Sequence, residues 1–354
     1  MATSPGGAGE KVKQSRPGAA IRVVLSLLIA AGFVWVFREA GLPLMPSAQA
    51  FECLKGWWAV GSFVLLAASV AFRTRRWLHL LVPFGRELDR EHIFGIGLVG
   101  YAAVLIAPLR LGEFVRPYWV SKSQGVGLLQ ALATVAAERV ADGLTVAWLA
   151  LLALQWARPL SPLPTHLGGI VVPVAAAPSV LWLGAVLFAV ALGVMAAFHR
   201  YAGLAGQLVR RVLGVLSQTA ATRGAGFVLR FGEGFGSLRA ALQRPFVSDH
   251  VAYWVLGLLA QFVLLRAVSL DVSLAQTIVV LGLMALGSLL PAGPGAFGPF
   301  QLAGYVGLSM YYPPEVVITN GAVYVFLAYV SQLLVNLLGA GFGLWWMRRA
   351  PKVR

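Results

Sequence analysis

A single cysteine, Cys53, in 354 residues excludes internal disulfides and any thiolate metal cluster. Charge is scarce too. Asp, Glu, Lys and Arg make up 12% of the chain, where a soluble domain carries roughly a quarter. Acid is the scarcer sign, at 13 residues against 28 Lys and Arg. The five histidines, at 79, 92, 166, 199 and 250, lie far apart and gather no carboxylates, so neither a metal site nor a cofactor is expected. No nucleophile elbow, phosphate loop or soluble nucleotide-binding unit occurs, and the chain is not expected to be an enzyme.

Apolar residues, by contrast, make up 59% of the chain. They fall in runs at about 21–37, 56–72, 93–109, 128–156, 170–198, 250–268, 274–290, 299–310 and 320–346. Several are long enough to cross a bilayer, which predicts an all-α polytopic membrane protein. The net charge of +15 is not one patch. The basic residues sit between apolar runs, as topology determinants on an anionic leaflet do, and nucleic acid is not an expected partner. The first run is too long for a signal peptide, and Ala48-Gln49-Ala50 lies beyond Arg38 and Glu39, so a retained first helix is expected. Residues 1–20 are expected to be a disordered basic tail, 21–347 one transmembrane domain, and 348–354 a basic tail.

Loop charge selects among topologies. Lys11, Lys13, Arg16 and Arg22 place the N-terminus inside, and the balanced 38–55 loop suits the outside. The 73–92 loop, with five arginines against three acids, returns inside. If 93–109 crossed fully, the 199–249 loop, with seven arginines against Glu233 and Asp249, would be exported, against the positive-inside rule. A re-entrant hairpin over about 93–121, broken at Pro108 and Gly112, keeps it inside. A second hairpin over about 274–310, broken at Pro291, Gly293, Pro294, Gly295 and Gly298, likewise keeps the basic C-terminus inside. The expected architecture is about six spans plus two oppositely oriented re-entrant hairpins, an inverted repeat. The breaks share Pro-x-x-x-Gly-x-Phe, at Pro108, Gly112, Phe114 and Pro291, Gly295, Phe297. Phe227, Phe231, Phe235, Leu238 and Leu242 predict a cytoplasmic amphipathic segment within about 203–245, set either to dock on the bundle or to sense lipid.

Charge at membrane depth marks function more often than chance. Arg110, Glu113 and Arg116 follow the first break, and Glu138, Arg139 and Asp142 lie on the helix beginning near Leu128. Glu138 falls about 15 Å along that helix, near midplane. Arg139 is spaced to pair with Asp142, leaving Glu138 to Arg110 or Arg116. Gln301 is the polar side chain of the second hairpin; Gln261, Asn320, Gln332 and Asn336 are expected to join helices, and Tyr101 to serve as packing or an interfacial anchor. Either a buried network fixing helix packing or a polar cavity for a head group or proton is compatible with these residues.

The stretch LRLGEFVRPYWVSKSQGVGLLQALATVAAERVADGL resembles the lysylphosphatidylglycerol synthase transmembrane-region family of flippase-like proteins, which includes the flippase domain of multiple peptide resistance factor. The family's Pro-x-Arg-x-Gly-Glu turn is matched by Pro108, Arg110, Gly112 and Glu113, with Arg116 in the basic patch. Its Glu-Arg-x-x-Asp-Gly helix is matched by Glu138, Arg139, Asp142 and Gly143. Pro291, Pro294, Gly295, Gly298 and Phe300 match a second motif, with Gln301 where a glutamate is usual. The resemblance spans roughly residues 20–347 and implies movement of a polar lipid, phospholipid or polyprenyl-linked, across the bacterial inner membrane, with both termini cytoplasmic. Synthase activity is not implied, since no aminoacyl-transfer domain follows in this sequence. A second copy of the chain or an envelope-synthesis protein is a candidate partner. A proton- or ion-coupled transporter of a small substrate, or a membrane component of envelope lipid or glycolipid synthesis, remains an open alternative.

Overall fold

The computed structural model describes residues 17–349 except 86–87, 168, 172–173, 216, 238 and 240–241. Most of the expected tails 1–20 and 348–354, and Leu238, therefore lie outside the described residues. The chain is an all-α polytopic membrane protein. Five helical segments are long and apolar enough to cross a membrane: Ile21–Glu39, Gly56–Phe84, Val174–Gly214, Arg244–Ala267 and Pro314–Arg349. The sixth expected span, Leu128–Leu154, has the length, but Glu138, Arg139 and Asp142 interrupt its apolar character. Helices are α1 (Pro17–Glu39), α2 (Gly56–Leu81), α3 (Arg90–Ile106), α4 (Val115–Gln124), α5 (Leu128–Leu154) and α6 (Ala177–Gly214). They continue as α7 (Gln218–Gly234), α8 (Arg244–Ala267), α9 (Leu274–Gly287), α10 (Pro299–Ser309) and α11 (Ala322–Arg349). The only β structure among the described residues is a ladder pairing His166 with Val171 and Leu167 with Ile170.

The axis of the bundle is the α2/α8 pair. Ser62 Oγ donates to Ala260 O at 2.8 Å and Ser69 Oγ to Tyr253 O at 3.0 Å, so the two helices run antiparallel. Small polar side chains let the backbones approach and satisfy them at once. Elsewhere α3 packs on α11, α5 on α9, α4 on α5 and α10 on α11. Exchanging α2 with α8, α3 with α9, α4 with α10 and α5 with α11 leaves that set of neighbours unchanged. Eight of the helices thus repeat one four-helix plan, to which α1, α6 and α7 are added.

In each copy the middle pair is a hairpin. Asp89 caps α3 through His92 N–H (3.0 Å), and Asp89 N–H donates across the base to Gln124 Oε1 (2.9 Å). At the other end, a Cβ on Gly112 would lie 2.0 Å from Ala103 O, so only glycine lets the returning chain lie against α3. The second hairpin opens with a capping box of Ser273 and Gln276, and Gly287 and Gly307 let α10 lie on α9. The first hairpin's base lies where α2 ends and α8 begins, marked by His79 Nε2 and Asp249 Oδ2 at 3.1 Å. The second base lies at the opposite end, where Lys55 N–H donates to Ala267 O at 2.8 Å. The hairpins therefore approach each other from opposite ends of the α2/α8 pair, and their tips meet where Arg110 Nη1 donates to the Ser288 carbonyl.

Three sequence expectations are revised. The 73–92 segment is not a loop from its start, because α2 continues to Leu81 and carries Arg73, Arg75 and Arg76. The shared Pro-x-x-x-Gly-x-Phe does not reflect one structural role. Gly112 is needed for close approach, whereas Gly295 takes a left-handed backbone (φ 77°) against Tyr329. The 203–245 segment is not one helix. α6 runs on to Gly214, and α7 folds back onto α6 and α5. Its phenylalanines meet Phe198 and each other, with Phe198–Phe231 centroids 6.0 Å apart and Phe231–Phe235 4.9 Å apart. His199 Nδ1–H donates to Gly232 O at 2.9 Å and adds a second tie. Phe231 and Phe235 face protein, while Phe227 and Leu242 are left 52% and 84% exposed.

Candidate functional site

The site is assembled around two carboxylates on α5. Glu138 and Asp142 are one turn apart, so both point from the same face toward α2. Arg76, fully buried on α2, spans them: Nη1 reaches Asp142 Oδ1 at 2.6 Å, and Nη2 reaches Asp142 Oδ2 and Glu138 Oε1, each at 3.0 Å. Arg116 of α4, also fully buried, donates from Nη1 to Glu138 Oε2 at 3.0 Å. Tyr101 of α3 donates its hydroxyl to Glu138 Oε1 at 2.8 Å. Four helices thus converge on one carboxylate in an otherwise apolar bundle.

Behind Arg76 stands His250 of α8. Its Nδ1 lies 2.8 Å from Arg76 Nη1, and because a guanidinium only donates, Nδ1 accepts. Nε2 then carries the proton toward Thr145 Oγ1 at 2.8 Å, so the imidazole is neutral. Two further arginines flank the pair without closing on it. Arg73 Nε lies 3.8 Å from Glu138 Oε1 and its guanidinium covers the Tyr101 ring at 4.1 Å. Arg139 Nη2 lies 3.5 Å from Glu138 Oε1. At the first tip, Arg110 donates to Glu113 Oε1 at 2.7 and 3.1 Å, from a left-handed backbone (φ 60°) unusual for a non-glycine residue.

A cavity of about 210 Å³ opens between this cluster and the second tip. Arg73, Tyr101, Arg110, Arg139, Asp142, Tyr253 and Trp254 line one side, and Ser288, Gly293, Gly295, Phe300, Gln332 and Asn336 the other. Five guanidiniums (73, 76, 110, 116, 139) face three carboxylates (113, 138, 142), an excess of two positive charges. The buried polar atoms of this cluster without a partner are all N–H groups: Nε of Arg73, Arg76, Arg116 and Arg139, Arg116 Nη2 and Trp254 Nε1.

The expected site residues divide accordingly. Arg110, Arg139 and Asp142 line the cavity. Glu138 and Arg116 lie behind its wall as a locked pair, and Glu113 serves Arg110. The anticipated Arg139–Asp142 pair does not form, because Arg76 reaches Asp142 with both terminal nitrogens and a planar fork outcompetes a single contact along one helix. Gln301 does not reach the cavity: its Oε1 accepts from Gly298 N–H at 2.8 Å and holds the turn in which Gly298 adopts φ 114°. Among the breaks, Gly293 and Gly295 border the cavity, while Pro108 starts the 3-10 turn Pro108–Phe114 and Pro294 the turn Pro294–Ala296. Gln261 accepts from Tyr324 (2.9 Å) and Asn320 donates to Val268 O (2.9 Å), both joining helices.

Sequence reasoning misses Arg73 and Arg76, and takes Tyr101 for packing. A signal was present. Arg73, Arg76, Trp77 and Leu80 continue the helical spacing past residue 72, so the arginines share a stripe with residues that must be buried.

No curated protein and no solved structure matches the chain. One family model does, over residues 23–336, and the neighbours of the Pro108–Glu113 turn and the Glu138–Gly143 helix all fall within that match. The chain belongs to the family described as lysylphosphatidylglycerol synthase TM region.

Proposed function

We propose that this protein moves the polar head group of a membrane lipid between the leaflets of the bacterial inner membrane, with the acyl or prenyl tails left in the bilayer. Membership of the family makes it a membrane lipid-related protein. The observation that carries the finer reading is the charged cavity between the two hairpin tips, set inside a bundle whose outer surface is apolar. At about 210 Å³ it is smaller than the roughly 300 Å³ at which pockets for whole drug-sized ligands begin, so it suits a head group alone.

Arm lengths support reading the hairpins as re-entrant. The four arms have 17, 10, 14 and 11 residues. At 1.5 Å per residue the longest reaches about 26 Å, short of the roughly 30 Å hydrocarbon core. Non-helical backbone at such depth is tolerated where it lines a polar cavity, which is where the breaks lie. The arginine-rich loops favour both termini in the cytoplasm. No catalytic step belongs to this reading. Its partners are lipids, with a second copy or the enzyme that makes the lipid as a protein partner.

Reconstitution tests it. Liposomes holding the purified protein and fluorescent phosphatidylglycerol, phosphatidylethanolamine or polyprenyl phosphate are exposed to an impermeant quencher. The inner-leaflet pool is expected to become accessible faster than in protein-free liposomes for at least one lipid. Rates no faster than in protein-free liposomes for all three lipids would end the proposal.

A further inference from the structure

We infer that the cavity takes an anionic, phosphate-bearing head group and rejects one whose outer end is cationic. The inference rests on the cavity being the head-group site and adds the charge it selects. All three carboxylates of the cluster are already held: Glu138 by Arg76, Arg116 and Tyr101, Asp142 by Arg76, and Glu113 by Arg110. An ammonium entering the cavity meets Asp142 as its one carboxylate and has to take it from a bidentate arginine.

Cationic capacity is instead in surplus. Arg73 and Arg139 both line the cavity, and neither guanidinium makes a hydrogen bond among the described residues. Both Nε atoms are buried without a partner, and so is Trp254 Nε1 in the same wall. Arg73 is held by ring faces, 4.1 Å from the Tyr101 centroid and 5.7 Å from that of Tyr253, which fixes it in place without using its donors. Unspent donors with an excess of two positive charges, deep among apolar helices, are what phosphate oxygens complement. The volume of about 210 Å³ has room for a phosphate and a short polar attachment.

The test uses the full chain in detergent micelles doped with short-chain phosphatidic acid, phosphatidylglycerol or lysylphosphatidylglycerol, with binding read by the shift in melting temperature against lipid concentration. Phosphatidic acid is expected to bind about tenfold more tightly than lysylphosphatidylglycerol. Arg73→Gln and Arg139→Gln should each weaken phosphatidic acid about tenfold, with Arg73→Lys restoring part of it through charge alone. Neither glutamine variant breaks a hydrogen bond of the free protein, and the lipid-free melting temperature of each reports whether it folds. Lysylphosphatidylglycerol binding as tightly as phosphatidic acid, or parental affinity in Arg73→Gln/Arg139→Gln, would overturn the inference. Inorganic phosphate alone is the last arm. If it binds while no lipid does, the anion site stands and the lipid-translocation reading falls. If liposomes pass cationic and anionic lipids equally fast, translocation stands and the charge selection falls.

Discussion

Arg76 on α2 grips Asp142 on α5 with both terminal nitrogens, at 2.6 and 3.0 Å, and the same guanidinium reaches Glu138 one turn away. One residue thus fastens the axis helix to the helix that carries the acids. Breaking a buried pair from one side costs about 3–5 kcal/mol, because the remaining charge is stranded. Asp142→Asn is expected to fall at the low end of that range and Arg76→Met at the high end, since it strips two acids. The double variant should lose at least about 1 kcal/mol less than the sum. Thermal unfolding in micelles measures all three, and strict additivity would show that the pair is not coupled.

Gly112 and Gly125 separate two uses of glycine. A Cβ at Gly112 runs into Ala103 O at 2.0 Å, so Gly112→Ala has to push the hairpin apart and should cost about 3 kcal/mol or more. Gly125 ends α4 at φ 69° with nothing within 4 Å of a built Cβ. Asparagine accepts that backbone, and Gly125→Asn should cost under about 1 kcal/mol. The same unfolding measurement compares them.

Gln301 is buried, 6% exposed, and its one acceptor bond fixes Gly298. Gln301→Leu leaves that buried N–H without a partner and should cost about 1–3 kcal/mol. If Gln301 acts only as this cap, lipid movement in Gln301→Leu falls no further than the folded fraction does. A translocation rate that drops while folding is intact would return Gln301 to the transport path.

The first hairpin and the buried acids are legible because each follows from something local: Pro108 breaks a helix, and Glu138 and Asp142 are charges inside an apolar run. The partners of those acids are not local. Arg73 and Arg76 look like loop charges when apolarity alone sets the end of a helix, and only their spacing with Trp77 and Leu80 says which way they face. Arg139–Asp142 is the reverse case, a spacing that permits a pair but cannot show that Arg76 arrives from 66 residues away. Gln301 invites a functional reading because it replaces an acid, whereas its bond to Gly298 depends on a turn that residue types do not specify.

Cys53 offers a check of orientation. It lies in the connection between α1 and α2, its Sγ–H donates to Ala50 O at 3.0 Å, and burial pushes its thiol pKa above the usual value. Maleimide reacts with the thiolate, so a raised pKa means slow labelling at neutral pH and a rate that climbs about tenfold per pH unit. In intact spheroplasts an impermeant maleimide should label Cys53, faster at about pH 8.5 than at about pH 7. Labelling that needs lysis at both values would invert the topology.

The two-copy plan of helices has an electrical counterpart that does not repeat. Exchanging α2–α5 with α8–α11 preserves the main helix pairings, yet the three carboxylates and five arginines of the site belong to the first copy and its hairpin. The second tip offers backbone, Ser288 and glycines. If the hairpins trade places to expose the cavity on alternate sides, the two exposed forms would be related by a two-fold rotation in shape and unequal in voltage response. The charged arm crosses part of the field when it moves, and each unit of charge carried through 100 mV is worth about 2.3 kcal/mol. Under that motion the frame would have a preferred resting side, set by the membrane potential.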